Sequence, residues 1–240
     1  MTSIRCNHHS EMQRSELIQT TDKQHHRCDG PRPSSMSRRK EPIGADHRGG
    51  GMSRIGEHFA LTVPGLTIRP ARPEDDAFCR SLSDATLRAA WVGIDIPDEL
   101  KSALLVQQFE AQRIGYRQSF PKAEYFIIAE REIAVGRLVV AVEMSGTGLH
   151  DQSEPDASAA GRSAGLALRL VDIALLPAAQ RRGVGREVIA SLARAARAMG
   201  AERLTLSVQP SNDRARSLYL RLGFVETDCE SFRQMTMRLN

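Results

Sequence analysis

Residues 168–200 read LRLVDIALLPAAQRRGVGREVIASLARAARAMG, and this stretch decides the fold. Leu168 to Leu176 is a nearly unbroken apolar run of strand length, the kind buried on both faces of a sheet. Pro177 ends it. A short loop, Gln180-Arg181-Arg182-Gly183-Val184-Gly185, leads into a segment with Val184, Val188, Ile189, Leu192, Ala195, Ala196 and Met199 at helical spacing. Gly200 closes that helix. The pattern is strand, tight glycine loop, helix. Gly183 and Gly185 remove side chains where backbone can approach a ligand. The N–H groups of the helix start carry partial positive charge, which suits a phosphate. Arg181, Arg182 and Arg186 add formal charge around it.

Working outward, Leu66 to Pro70 predicts a short strand, and Pro73-Glu74-Asp75-Asp76 opens a helix with proline and acids in its first turn. A second helix follows Pro97, with Leu100, Leu104, Leu105 and Phe109 on one face. Tyr125–Ala129 and Ile133–Val142 read as an antiparallel hairpin turning at Glu130-Arg131-Glu132. Residues 145–165 are rich in Gly, Ser, Asp and Ala and predict a long mobile loop. Beyond Gly200, Leu204, Leu206 and Val208 alternate as a strand, and Asn212 caps a helix that Gly223 stops. Phe224-Val225 and Phe232 to Leu239 close the chain as strands. The order predicts an α/β domain: a central mixed sheet with helices on its faces, over residues 61–240.

The chain has 240 residues and a formal charge of +4. Residues 1–60 hold ten Lys/Arg against seven Asp/Glu, so most of the excess lies in that arm. The remainder is nearly neutral, which argues against a nucleic-acid-binding body. Asp29 to Gly51 is rich in Pro, Gly, Ser and Arg without apolar period, and residues 1–60 read as a disordered basic extension. Met36 and Met52 are alternative starts. No apolar run reaches membrane-spanning length and no secretory signal stands at the N-terminus, so the expected location is cytoplasmic. Cys6, Cys28, Cys79 and Cys229 form no CxxC, and the Cys6/His8/His9/His25/His26/Cys28 group lacks zinc-finger spacing. No metal is expected.

The segment Leu175 to Gly185 resembles the acetyl-coenzyme A loop of the GNAT superfamily, V-x-P-x-x-(R/Q)-x-x-G-x-(G/A). Pro177, Gln180, Gly183 and Gly185 match it, and Leu175 stands at the Val position. Downstream, Asn212 to Phe224 resembles the family's N-x-x-A-x-x-L-Y-x-x-L-G-F block with its spacing intact. The resemblance spans roughly residues 66–240. It implies acetyl transfer from acetyl-coenzyme A to an amine, in a monomer or a homodimer, with no metal and no membrane.

The implied cofactor contacts are Ile173, Ala174 and Leu175 along the pantetheine and the loop from Gln180 through Arg181, Arg182, Gly183, Val184 and Gly185 to Arg186. Asn212 lies near the pantetheine arm. Tyr219 faces the thioester sulfur as the acid that protonates coenzyme A. For the base, Asp172 comes first and Glu143 second; a structural acid paired with arginine is the other reading of each, and a water chain is the alternative to both. Gln107 to Ile128 also resembles the substrate-side region of a bacterial GNAT subgroup. The acceptor pocket is expected between Trp91 and Phe120, with Asp95, Asp98, Glu99 and Tyr116; acids there favour a cationic amine, solvated helix-face charge is the other reading, and a small amine, an amino acid, a peptide N-terminus and lysine all stay open as acceptors. A domain that binds acyl-coenzyme A without turnover is the rival reading.

Overall fold

The computed structural model describes residues 4–5, 55–90, 97–144, 165–227 and 233–239. The arm's Cys/His group, Trp91, Asp95, Cys229 and the loop through residue 164 lie outside them. The strands are β1 (Ile4–Arg5), β2 (Leu66–Pro70), β3 (Glu124–Glu130), β4 (Ile133–Met144), β5 (Leu166–Leu175), β6 (Arg203–Val208), β7 (Val225–Thr227) and β8 (Arg233–Arg238). The helices are α1 (Asp76–Ala90), α2 (Asp98–Ser119), α3 (Val184–Ala198) and α4 (Asp213–Arg221). The sheet runs β2-β3-β4-β5-β6-β8-β7, with β1 added on β5. All pairings are antiparallel except β5 with β6. The mixed α/β sheet expected from the order of elements is the architecture observed.

Each face carries its own core. On one, α3 and α4 cover Leu138, Val140, Leu168, Leu170, Ile173 and Leu206, all fully buried. On the other, α1 and α2 contribute Cys79, Phe109 and Tyr116 against Ile127, Val139 and Val171. β5 is buried along nearly its whole length because both of its faces are covered. The β3–β4 hairpin turns through Arg131 and Glu132 with φ of 49° and 69°, a left-handed pair that suits a tight hairpin turn.

The folded unit begins earlier than the apolar periodicity suggests. Ile55 is fully buried in the main core, and Phe59 meets Phe126 edge-on at 5.1 Å. Ala60 N donates to Ser191 Oγ at 3.1 Å, and Thr62 N donates to Glu187 Oε1 at 2.8 Å. This strap crosses α3 through isolated contacts and has no period of its own, so it reads in sequence as part of the arm.

The register of β5 sets up the site. It pairs with β6 only from Ala167↔Arg203 to Leu170↔Leu206. A bulge follows: Val140 pairs with Leu170, whereas Val139 pairs with Asp172, leaving Val171 over. Beyond the bulge, β6 continues against β8 alone among the described strands. The β6-side edge of β5 is thereby opened, and β1 pairs there, Ile4 with Ile173 and Arg5 with Asp172.

Gly136 on β4 makes the close approach that keeps the other edge of β5 in place. A Cβ there would lie 2.5 Å from Leu175 Cδ2 and 2.6 Å from Ala174 O. Gly136→Ala should therefore cost about 1–3 kcal/mol, as overpacking does. Thermal unfolding would show it as a fall of roughly 2–4 °C per kcal/mol. An unchanged Tm would mean that β4 and β5 separate at no cost.

Candidate functional site

The loop from β5 to α3 is held at its base and bare at its tip. Leu176 N donates to Val135 O at 2.8 Å, and Pro177–Ala179 forms a single helical turn. The Gln180 carboxamide Nε2 donates to Leu175 O at 2.9 Å, tying the loop back to the strand it left. Arg181 and Gly183 have φ of 64° and 84°. At Gly183 a Cβ would meet nothing within 4 Å, so glycine serves the left-handed turn rather than a lack of room. At Gly185 a Cβ would make an ordinary contact, 3.6 Å from Leu175 Cδ1.

Gly183 caps α3 with no side-chain hydrogen bond, and Glu187 N is the donor that reaches Gly183 O, at 3.0 Å. The N–H groups of the helix's first turn precede any intrahelical partner. They face a cavity of about 500 Å³ that opens where β5 ends at Leu175. Arg181 and Arg186 flank it on one side, Arg214 and Arg221 of α4 on the other. Leu218 and Leu222 supply apolar wall. Four guanidiniums around a helix N-terminus make a site for a polyanion with an apolar portion.

Leu175, Gln180, Arg181, Gly183, Gly185 and Arg186 all line this cavity, as their positions in the loop motif suggest. Others of the expected set do different work. Arg182 turns away to Glu130 in a bidentate pair at 2.8 and 2.9 Å. Val184 is buried in the core. Ile173 and Ala174 are buried too, and offer the ligand only backbone. Asn212 caps α4, its Oδ1 accepting from Ala215 N at 3.2 Å, and is not among the lining residues. Arg214, Leu218 and Arg221 were not singled out from the sequence. Their spacing of four and three residues places them on one helix face, which was the available signal.

The candidate chemical groups are not brought together. Tyr219 is fully buried, packed edge-on against Phe224 at 5.5 Å, and does not line the cavity. Asp172 is fully buried on the α1/α2 face, where its Oδ2 accepts from Arg137 Nη2 at 2.6 Å and Nε at 3.2 Å. Burial is the largest single influence and alone would lower the Arg137 pKa, but the charge of Asp172, its hydrogen bond, and the neighbouring Cys79 and Tyr116 together outweigh it and hold the guanidinium above its ordinary value. Glu143 stands apart from Asp172. It lies four residues past Val139, the partner of Asp172, so about 13 Å further along the strand. There it accepts from Thr205 Oγ1 and sits 3.8 Å from Arg169 Nε.

Of the acids named for the acceptor region, Asp98 and Glu99 lie among the described residues. The Asp98 side chain is 89% exposed beside Lys101, and Glu99 is exposed. Tyr116 is buried. Among the described residues, no three His, Cys, Asp or Glu side chains are grouped to hold a metal ion, and no helix is long and apolar enough to cross a membrane.

The model of the acetyltransferase (GNAT) family matches residues 97–224. No curated protein matches the chain. Among solved structures, the PaiA N-acetyltransferase from Thermoplasma acidophilum in complex with coenzyme A is similar at TM-score 0.50 and 14% identity, over 72% of this chain and 98% of that one. The apo structure of FdhC, a nucleotide-linked sugar GNAT, gives TM-score 0.50 and 14% identity over 75% and 90%. A GCN5-related N-acetyltransferase from Rhodopseudomonas palustris gives 0.47 and 20% over 76% and 99%. At these identities the likeness to the first two is one of fold alone.

The cavity's charge makes its own prediction. Inorganic pyrophosphate should raise the Tm of the full chain, and added salt should erode the effect. In an Arg186→Gln/Arg214→Gln double variant most of that rise should vanish. An equal rise in both proteins would show that pyrophosphate binds elsewhere.

Proposed function

We propose, from the premise that the chain belongs to the acetyltransferase (GNAT) family, that it moves an acetyl group from acetyl-coenzyme A to a primary amine by direct transfer. The observation that carries this reading is the cavity at the uncapped start of α3, walled by Arg181, Arg186, Arg214 and Arg221 and entered from the end of β5. Acetyl-coenzyme A supplies an activated acyl thioester, a pyrophosphate and an arm with two amide groups. The pyrophosphate suits the first-turn N–H groups and the loop arginines. The amides suit the opened edge of β5, and β1 demonstrates that this edge accepts an antiparallel backbone at Ile173. A ligand taking that edge replaces β1.

Within this reading the chain orients and polarises. The acyl oxygen is assigned to backbone N–H groups near Ile173–Leu175, and Gln180 holds the strand end by its bond to Leu175 O. Tyr219 is assigned as the acid that returns a proton to the departing thiolate, the role that its place in the downstream block implies. The Asp172 carboxylate is committed to Arg137, and Glu143 sits beside Arg169, so the reading leaves the proton of the attacking amine to water. A second reading, a domain that holds acyl-coenzyme A without turnover, is favoured by one observation: Tyr219 is 0% exposed and packed in the core.

Two measurements test these assignments. Gly183→Asp places a negative charge beside the helix start and forces a side chain into a left-handed turn, so acetyl-coenzyme A affinity by calorimetry should fall at least tenfold while the protein stays folded. Undiminished affinity would take the loop out of the site. Tyr219→Phe should keep that affinity and slow thiol release in single-turnover experiments by about 10²–10⁴, read against a panel of amines. A wild-type single-turnover rate would remove Tyr219 from the chemistry, and release from no amine would favour the second reading.

A further inference from the structure

A second, smaller cavity, of about 30 Å³, lies on the other face of the sheet between α2 and the strands β3 and β4. Its polar wall is Gln112, Arg113, Tyr116 and Arg117 from α2, Tyr125 from β3 and Arg137 from β4. Three guanidiniums, two phenols and a carboxamide form it, and no carboxylate is among its lining residues. The carboxylates that steady it attach from outside the lining. Asp172 holds Arg137 through two N–H groups, at 2.6 and 3.2 Å. Glu110 holds Arg113, at 2.9 and 3.1 Å. Gln112 Nε2 donates to Tyr116 Oη at 2.9 Å and fixes that phenol on the wall.

Resting on the acyl-transfer reading, we infer that this cavity is the acceptor's anchoring site and that the acceptor is a small amine bearing a carboxylate, an amino acid with its carboxyl group free. Arg137 is 5% exposed, and Asp172 engages two of the five N–H groups that a guanidinium carries, so the buried charge is oriented in advance. Burial raises the Tyr125 phenol above its ordinary value, so it stays a protonated donor. A planar carboxylate meets guanidinium forks two bonds at a time, and the volume is that of one terminal group rather than of a whole molecule. The body of the acceptor therefore remains outside the cavity. Asp172 is the link to the acyl site: it bonds the cavity's Arg137 and directly precedes Ile173, where the acyl arm is placed.

The test measures binding, which does not depend on turnover. Ligand-observed NMR on the full chain compares the common L-amino acids, β-alanine and γ-aminobutyrate with their carboxamides, together with phosphoethanolamine. At least one carboxylate should bind tenfold or more tightly than its amide. Arg117→Gln and Arg113→Gln, both at half-buried surface positions, should erase that preference and raise the KM for the same acceptor tenfold without changing acetyl-coenzyme A affinity. Equal binding of acid and amide, no binding by any carboxylate, or tighter binding of phosphoethanolamine than of β-alanine would each overturn the proposal. A carboxylate preference that disappears in the arginine variants, in a chain that fails to bind acetyl-coenzyme A, would sink the acyl-transfer reading and leave the anion pocket standing.

Discussion

A strand can satisfy its backbone on two edges, and the bulge at Val171–Asp172 is where β5 gives one of them up. Before it, β5 is an interior strand paired with β4 and β6. After it, β4 still holds one edge, while the other is open to a different partner, taken here by Ile4–Arg5. The extra residue also turns Asp172 onto the α1/α2 face, with its cross-strand partner Val139 and with Arg137 two residues before that. One irregularity therefore separates two strands, opens a backbone edge and seats a buried ion pair beside it. Gly136 and Gln180 keep the strand end in place, one by leaving room for Ala174 O and Leu175, the other by bonding Leu175 O.

Arginine does different work in different surroundings. Arg182 with Glu130, and Arg216 with Glu226, are partly exposed pairs of the kind that contributes little to stability. Arg137 with Asp172 is buried, so removing either partner strands a charge and costs far more. The arginines that line the two cavities, Arg137 among them, share a further feature. Their guanidiniums face spaces whose linings contain no carboxylate, one set around an uncapped helix start and the other around a pair of phenols. The sheet lies between the two sets, and β5, carrying Asp172 on one side and ending at the larger cavity on the other, is the element common to both.

Much of the fold was legible because its elements have strong local periods. The helix of Val184 to Ala198 buries the face marked by Val188, Ile189 and Leu192, and β2 occupies the residues expected from Leu66 to Pro70. Residues 55–60 were not legible: Ile55 and Phe59 are single anchors, and Ala60 is held by a serine and an arginine of α3, more than a hundred residues away. The loop glycines were visible but their reasons were not separable. Gly183 is needed for its φ, whereas the glycine that a close approach requires is Gly136, unremarkable in its own segment.

By itself the sequence determined the order of strands and helices from β2 onward, the apolar face of α3, the buried run of β5, and the glycine loop between them; of the faces read for α1 and α2 only part is buried, Leu100 and Ala77 being exposed. These follow from spacing within one segment, which the chain carries locally. Tertiary structure alone decided where β5 leaves β6, that Asp172 meets Arg137 from 35 residues away, and that Glu143 stands far along the strand from it. It also decided that Tyr219 lies in the core while Arg214 and Arg221 line the cavity. A helix face is readable from spacing, but what that face meets depends on register and packing between segments distant in sequence, which no local pattern encodes.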